Sequence, residues 1–488
     1  MRFAILLISL GLAASAVGRS LAAPGLPLAP CDLRATDGMA LVKAECGVLR
    51  VAEDPARPGG RRIPLAVAVV PAVSTSKRPD PLFVLAGGPG EAASAFYASV
   101  APAFARIHLD RDIVLVDQRG TGGSNALDCR AGSGGGGPPT EAQLAAETER
   151  CLEQLRSHAR VRFYTTGLAV RDLDRVRAAL GYARINLYGS SYGTVVAQEY
   201  IRRFPHRVRS VILDGVVPPQ VAIGALSALS AQQAVRRIFA GCARESACRT
   251  RFGDSQRIYE SLHAALAAHP VPLVLPDPTS GAPRRLSFTN YQLAQVLRLA
   301  SYTPELAALL PLDLNEAAAG DYAPLAGQFL FIDHLYGNAV AEGMNYTVVC
   351  SEDVPFYHVT AAQRAQMRQT FLGTAPIEEL AQVCKLWPRG PVAPDFHAPL
   401  HSHVPALLLS GGDDPITPPR YAAEAARGFT HSLSLVIPGF AHGQLLDPCM
   451  GRVMARFVRR ASVAGLDTAC VRRLRPMPFF LTPGGPAP

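Results

Sequence analysis

Lysine is almost missing from this 488-residue chain: it stands only at 43, 77 and 385, so the net charge of +9 is carried almost entirely by arginine. The arginines are scattered, with no run interleaved by aromatics, which argues against a nucleic-acid surface and fits a mildly basic exported protein. The ten cysteines contain no C-x-x-C spacing, which argues against structural zinc. After the first two dozen residues no long uncharged apolar run occurs, so no membrane span is expected there. No internal repeat is evident either.

What the N-terminus does contain is Arg2 followed by an apolar run from Phe3 to Ala16, with a small-x-small site at Ala14-Ser15-Ala16 and later options near Gly18 and Ala23. Residues 1–23 read as a secretory signal peptide; the stretch is short for an uncleaved anchor. Export, to a periplasm or the medium, makes disulfides the expected state of Cys31, Cys46, Cys129, Cys151, Cys242, Cys248, Cys350, Cys384, Cys449 and Cys470. Pairing of sequence neighbours is the simplest arrangement, because each pair then lies in one segment, although sequence alone does not fix connectivity. The Asn345-Tyr346-Thr347 sequon reads as a chance match.

Apolar strands alternate with helical stretches from about residue 45 to 217, the pattern of a doubly wound, mostly parallel α/β sheet. Gly132 to Pro139 is a Gly/Pro loop. Core-like strands resume near Val404, leaving about 180 residues that no single crossover needs. Apolar spacing predicts helices over 230–243, 255–267, 291–301 and 361–371. The expected organisation is a core over 24–219 and 401–488, with a large, mostly helical cap, 220–400, inserted after the sixth strand.

The chemistry is read from Gly189-Ser190-Ser191-Tyr192-Gly193, which lies between the apolar Ile185–Tyr188 and a helical stretch from Thr194. A G-x-S-x-G between strand and helix is the pattern of a nucleophile elbow, with Ser191 as nucleophile. A serine hydroxyl needs a base, and the base an orienting acid. Strand-like Pro405–Ser410 runs into Gly411-Gly412-Asp413-Asp414-Pro415, and strand-like Ser432–Ile437 precedes Gly439-Phe440-Ala441-His442-Gly443. The order Ser, Asp, His makes His442 the base and Asp414 the acid, with Asp413 and Asp214 as alternatives. His397, His401 and His403 lack a matching carboxylate or thiolate set, so they read as exposed linker rather than a metal site. Two backbone N–H groups should form the oxyanion hole: that of Tyr192 and that of Gly88, or else Gly87, in the loop Ala86-Gly87-Gly88-Pro89-Gly90 after the strand Pro81–Leu85.

The series Gly87-Gly88-Pro89-Gly90, Asp117-Gln118-Arg119-Gly120-Thr121-Gly122, Gly189–Gly193, Asp414-Pro415-Ile416-Thr417-Pro418 and Gly439–Gly443 resembles the proline iminopeptidase and tripeptidyl aminopeptidase family of α/β-hydrolases. Val349-Cys350-Ser351-Glu352-Asp353 and Cys384…Trp387-Pro388 are similar to its secreted tripeptidyl branch. The resemblance runs from about Cys46 to Cys470 and implies removal of residues or short peptides from a free N-terminus, with no cofactor. The chain departs from the family at Glu91-Ala92-Ala93-Ser94, where members usually carry more glycine; this bears on the groove, not the chemistry. Asp117–Gly120 is expected to brace the site through Arg119 without a chemical role.

An exopeptidase must bind a protonated amine, so a carboxylate is expected near the closed end of its pocket. Glu352, beside Cys350, is the first candidate, with Asp353 and Glu91 behind it. The expected partners are peptides with a free N-terminus, and neither nucleic acid nor membrane. An esterase of the same fold is the alternative enzyme. A non-catalytic binding protein is disfavoured by the complete triad, and an epoxide hydrolase by serine rather than aspartate at 191.

Overall fold

The computed structural model describes residues 25–129, 137–278 and 280–486. The signal-peptide reading of 1–23 and most of the Gly132–Pro139 loop fall outside them. A nine-stranded sheet organises the chain in the order β1-β2-β3-β5-β4-β6-β7-β10-β11. Its members are β1 (Ala29–Arg34), β2 (Leu41–Ala52), β3 (Arg62–Val70), β4 (Leu82–Leu85), β5 (Ile113–Val116), β6 (Ile185–Ser190), β7 (Val208–Asp214), β10 (Ala406–Gly411) and β11 (Ser432–Ile437). The first three run antiparallel, and β3 meets β5 antiparallel. From β5 onward every neighbour is parallel.

The central strands are the chain's continuous apolar runs. β4 (LFVL), β5 (IVLV) and β10 (ALLLSG) are buried along their whole length, as strands covered by helices on both faces must be. A leucine-to-alanine truncation in such a core costs about 2–5 kcal/mol. β11 lies at the edge and alternates between covered and exposed positions. β1 is a strand that the sequence reading did not include. It pairs with β2 from Ala29↔Cys46 to Arg34↔Leu41, and the Cys31–Cys46 disulfide pins it there. Counted from β2 the insertion follows the sixth strand; counted from β1 it follows the seventh.

Between β7 and β10 the chain is mainly helical. Helices at Ser227–Arg244, Ser255–Ala268 and Asn290–Ala300 match the predicted ones within a few residues, and the fourth is shorter, Ala361–Met367. Further helices include Pro304–Ala318, Ala323–Ala339 and Ala375–Leu386. A hairpin of β8 (Val271–Pro276) and β9 (Pro283–Phe288) interrupts them. These elements bury their own apolar cluster, including Phe288, Leu293, Leu297 and Leu310.

All ten cysteines form disulfides between sequence neighbours: Cys31–Cys46, Cys129–Cys151, Cys242–Cys248, Cys350–Cys384 and Cys449–Cys470. No helix among the described residues is long and apolar enough to cross a membrane.

Candidate active site

The site lies at the carboxyl ends of the parallel strands β4, β6, β7, β10 and β11. β6 ends in Ser190, and the chain turns sharply through Ser191, at φ 54° and ψ −121°, into the helix Tyr192–Arg203. A non-glycine residue rarely adopts such a backbone. The flanking glycines are demanded by space. A Cβ on Gly189 would lie 2.3 Å from the Gly193 carbonyl oxygen, and one on Gly193 would lie 2.3 Å from that of Leu85. The Ser191 N–H donates to the Asp214 carbonyl oxygen at 2.8 Å, which ties the elbow to the end of β7.

Asp414 and His442 meet across the ends of β10 and β11. Asp414 Oδ2 lies 2.8 Å from His442 Nδ1. Thr417 Oγ1 donates to the same Oδ2 at 2.7 Å, while the N–H groups of Ile416 and Thr417 reach Oδ1 at 2.9 and 2.7 Å. Burial pushes the Asp414 carboxyl up, but the charge of His442 and these hydrogen bonds outweigh it and hold the group below its ordinary 3.8. Burial would lower the imidazole; the charge and hydrogen bond of Asp414 outweigh that and raise His442 above 6.5. The ring sits over Gly215, where a Cβ would come 2.8 Å from its Cε1. This places it beside Asp214, whose carbonyl holds the elbow.

Neither alternative acid touches the imidazole through a hydrogen bond. Asp413 points away and pairs with Arg237 at 2.7 Å. Asp214 is fully buried, accepting the Gln444 N–H at 3.0 and 2.9 Å and the Tyr188 hydroxyl at 2.9 Å. It braces the chain just past His442, and burial raises its carboxyl to about 6. Two contacts of the histidine escaped the sequence reading. Thr417 was legible in principle, as the threonine of the Asp414-Pro415-Ile416-Thr417 turn. Tyr302 carries no local signal: it reaches the site from the insertion, where its carbonyl accepts the His442 N–H at 3.0 Å and its ring stands edge-on to the imidazole, 5.4 Å between centroids.

The loop after β4 lies against the elbow because β4 and β6 are neighbours, with Leu85 opposite Gly189. A Cβ on Gly87 would stand 3.2 Å from Ser191 Cβ. The Gly87 N–H donates to Glu91 Oε2 at 3.0 Å, whereas the Gly88 N–H, at φ +100°, makes no hydrogen bond among the described residues. The Tyr192 N–H is in the first turn of its helix and has no intrahelical acceptor. The Tyr192 side chain is anchored below by Gln118 Nε2 at 2.9 Å and Thr166 Oγ1 at 2.5 Å. Arg119 is wholly buried and binds Asp172 at 2.7 Å and the carbonyls of Glu53 and Phe163.

Segment 340–345 of the insertion clamps the same loop. The Ala341 N–H donates to the Gly90 carbonyl at 2.9 Å, Asn345 Nδ2 donates to that of Pro89 at 3.0 Å, and Glu91 bridges Val340. The sequon asparagine is therefore occupied in packing.

Glu352 has other work than an amine anchor. Its oxygens accept the N–H and the hydroxyl of Thr166 at 2.7 and 2.6 Å, which satisfies the N-terminus of the helix Thr166–Ala179. It is 2% exposed, and the cavity beside it, shared with Tyr192, Asp353 and His397, holds about 10 Å³, room for a water and not for a substrate terminus. Asp353 is likewise buried, accepting the Ile223 N–H at 2.7 Å. His397 is not an exposed linker residue: its ring nitrogens lie 2.8 and 2.6 Å from the carbonyls of Pro219 and Glu352. His401 and His403 are exposed, and among the described residues no cluster is arranged to hold a metal ion.

Strand order, elbow and the placement of the acid and histidine define an α/β-hydrolase, and residues 80–448 match that fold family. The chain belongs to the α/β-hydrolase fold family. It is 30% identical over 472 residues to carboxylesterase B of Mycobacterium tuberculosis, covering 88% of this chain and 86% of that one. It is 26% identical over 452 residues to serine protease Hip1 of the same organism, covering 85% of each. Over a shorter stretch of 193 residues it is 35% identical to tripeptidyl aminopeptidase of Streptomyces lividans, 36% of each chain.

Proposed function

We propose that this protein is an exported serine aminopeptidase that releases N-terminal residues or short peptides through an acyl-enzyme. The observation that carries the hydrolytic part is the His442–Asp414 pair at 2.8 Å, set over the residue that follows Asp214, whose carbonyl fixes the Ser191 elbow. Ser191 attacks the scissile carbonyl while His442 takes its proton; the N–H groups of Tyr192 and Gly88 hold the oxyanion. His442 then gives its proton to the leaving amine, and water, deprotonated by the same imidazole, cleaves the ester. Asp414 keeps the Nδ1 proton in place, so Nε2 is the working nitrogen.

The peptidase class is supported by likeness to serine protease Hip1 and to a tripeptidyl aminopeptidase. Export is supported by the five disulfides, which belong to an oxidising compartment. A second reading, an esterase on small esters, is favoured by the 30% identity to carboxylesterase B. The test is initial rates on reporter peptides of one, two and three residues, free or acetylated at the N-terminus, beside a short-chain ester, with Ser191→Ala as the control. Activity confined to free N-termini is expected. Equal rates on blocked peptides, or activity on the ester alone, would overturn the aminopeptidase reading.

A further inference from the structure

We infer that Glu91 is the anchor for the substrate's free α-ammonium group, and that the enzyme therefore removes one residue at a time. The inference rests on the aminopeptidase reading and adds the identity of the amine site and the length of the product.

Three carboxylates surround Ser191 and His442. Asp414 is consumed by the imidazole and Thr417, and Asp214 by Gln444 and Tyr188; both are wholly buried. Glu91 differs on both counts. It is half-buried. Only Oε2 is engaged, by the Gly87 N–H; among the described residues Oε1 accepts no hydrogen bond. Oε2 lies 3.5 Å from the point where a Gly87 Cβ would stand, and that point is 3.2 Å from Ser191 Cβ. Oε2 is thus no more than 6.7 Å from Ser191 Cβ, the sum of those two distances, and close enough to His442 for their charges to interact. Desolvation raises its acid to about 7, more than the Gly87 N–H and His442 lower it. An ammonium partner would compensate that desolvation.

Position on the loop sets product length. Glu91 is three residues beyond Gly88, so one loop would hold both the scissile carbonyl oxygen and the amine. In an aminoacyl substrate these two groups belong to the same residue, its nitrogen two bonds from the carbonyl carbon. Each further residue carries the amine about 3.5 Å away. A tripeptide's terminus would therefore lie about 7 Å beyond the reach of an anchor set beside the oxyanion donor. The carboxylates that could have served a more distant amine, Glu352 and Asp353, are closed off by Thr166 and Ile223.

The experiment compares wild type with Glu91→Gln, which keeps an acceptor for the Gly87 N–H, and with Glu91→Asp, which keeps the charge. The readout is the ratio of kcat/KM for free over acetylated substrates bearing one, two or three residues before the reporter. In the wild type the ratio should be largest for one residue. In Glu91→Gln it should fall by about 30-fold or more for that substrate, with partial recovery in Glu91→Asp. A wild-type ratio that peaks at three residues overturns the inference without any variant. A high ratio that survives Glu91→Gln also overturns it, while leaving the aminopeptidase reading intact. A wild-type ratio near one at every length removes both.

Discussion

Asp413 and Asp414 are covalent neighbours with the same functional group, and the turn between them decides which one serves. Asp414 is sealed beneath Thr417 and His442, whereas Asp413 faces Arg237, and both of these line a cavity of about 460 Å³. Asp414→Asn should lower kcat by about 10⁴-fold, because the imidazole loses the partner that fixes its tautomer. Asp413→Asn should stay within a few-fold. The pH profile gives a second readout. The base works as neutral imidazole, and Asp414 raises its affinity for a proton, so the acid limb of kcat/KM should lie above 6.5 in the wild type and move down in Asp414→Asn. Steady-state kinetics across pH on both variants checks this. The placing of Ser191, Asp414 and His442 at neighbouring strand ends was legible because each sits in a short motif after an apolar run. Tyr302 was not, because its role depends on a carbonyl brought back from an insertion, and any side chain offers a carbonyl.

At the scale of elements, the helix Thr166–Ala179 begins underneath the active site and depends on a carboxyl from far along the chain. Glu352 supplies the acceptor that this N-terminus lacks. Burial raises its carboxyl to about 7, against the hydrogen bonds from Thr166 that lower it. The folded protein thus holds this proton up to about 7, while the unfolded chain releases it near 4.5. Between those values the folded state binds more protons, so this group's contribution to stability falls as pH rises through that window. Glu352→Gln should flatten the fall in Tm between pH 4.5 and 7, seen by calorimetry. It should also leave the preference for free N-termini in place. The parallel strands were readable as apolar runs, because burial on both faces removes any need for polar residues. β1 and the hairpin β8–β9 were not. The APCDLR of β1 owes its extended form to β2 and a disulfide, and the hairpin sits in a region whose helical periodicity dominates.

For the whole molecule, the placement of the disulfides matters more than their number. Each closes a loop within one stretch of chain, and none joins the insertion between β7 and β10 to the sheet. Replacing Cys242 and Cys248 by serine opens a short loop of sequence separation 6, and replacing Cys449 and Cys470 one of 21. The expected losses are about 2 and about 3 kcal/mol. Since the two bonds lie in separate parts of the structure, the shifts should add in the fourfold variant, as thermal unfolding would register. A combined loss far from the sum would mean that the two bonds are coupled through the packing between them.

Apart from its chain connections at β7 and β10, the insertion is held to the sheet by contacts that can separate and re-form, and one of them is the hydrogen bond from the His442 N–H to the Tyr302 carbonyl. Moving the segment that carries Tyr302 would break that bond and the ring contact beside it. The imidazole is thus seated in part by a piece of chain that lies far from it in sequence, and any displacement of that piece is transmitted to the histidine.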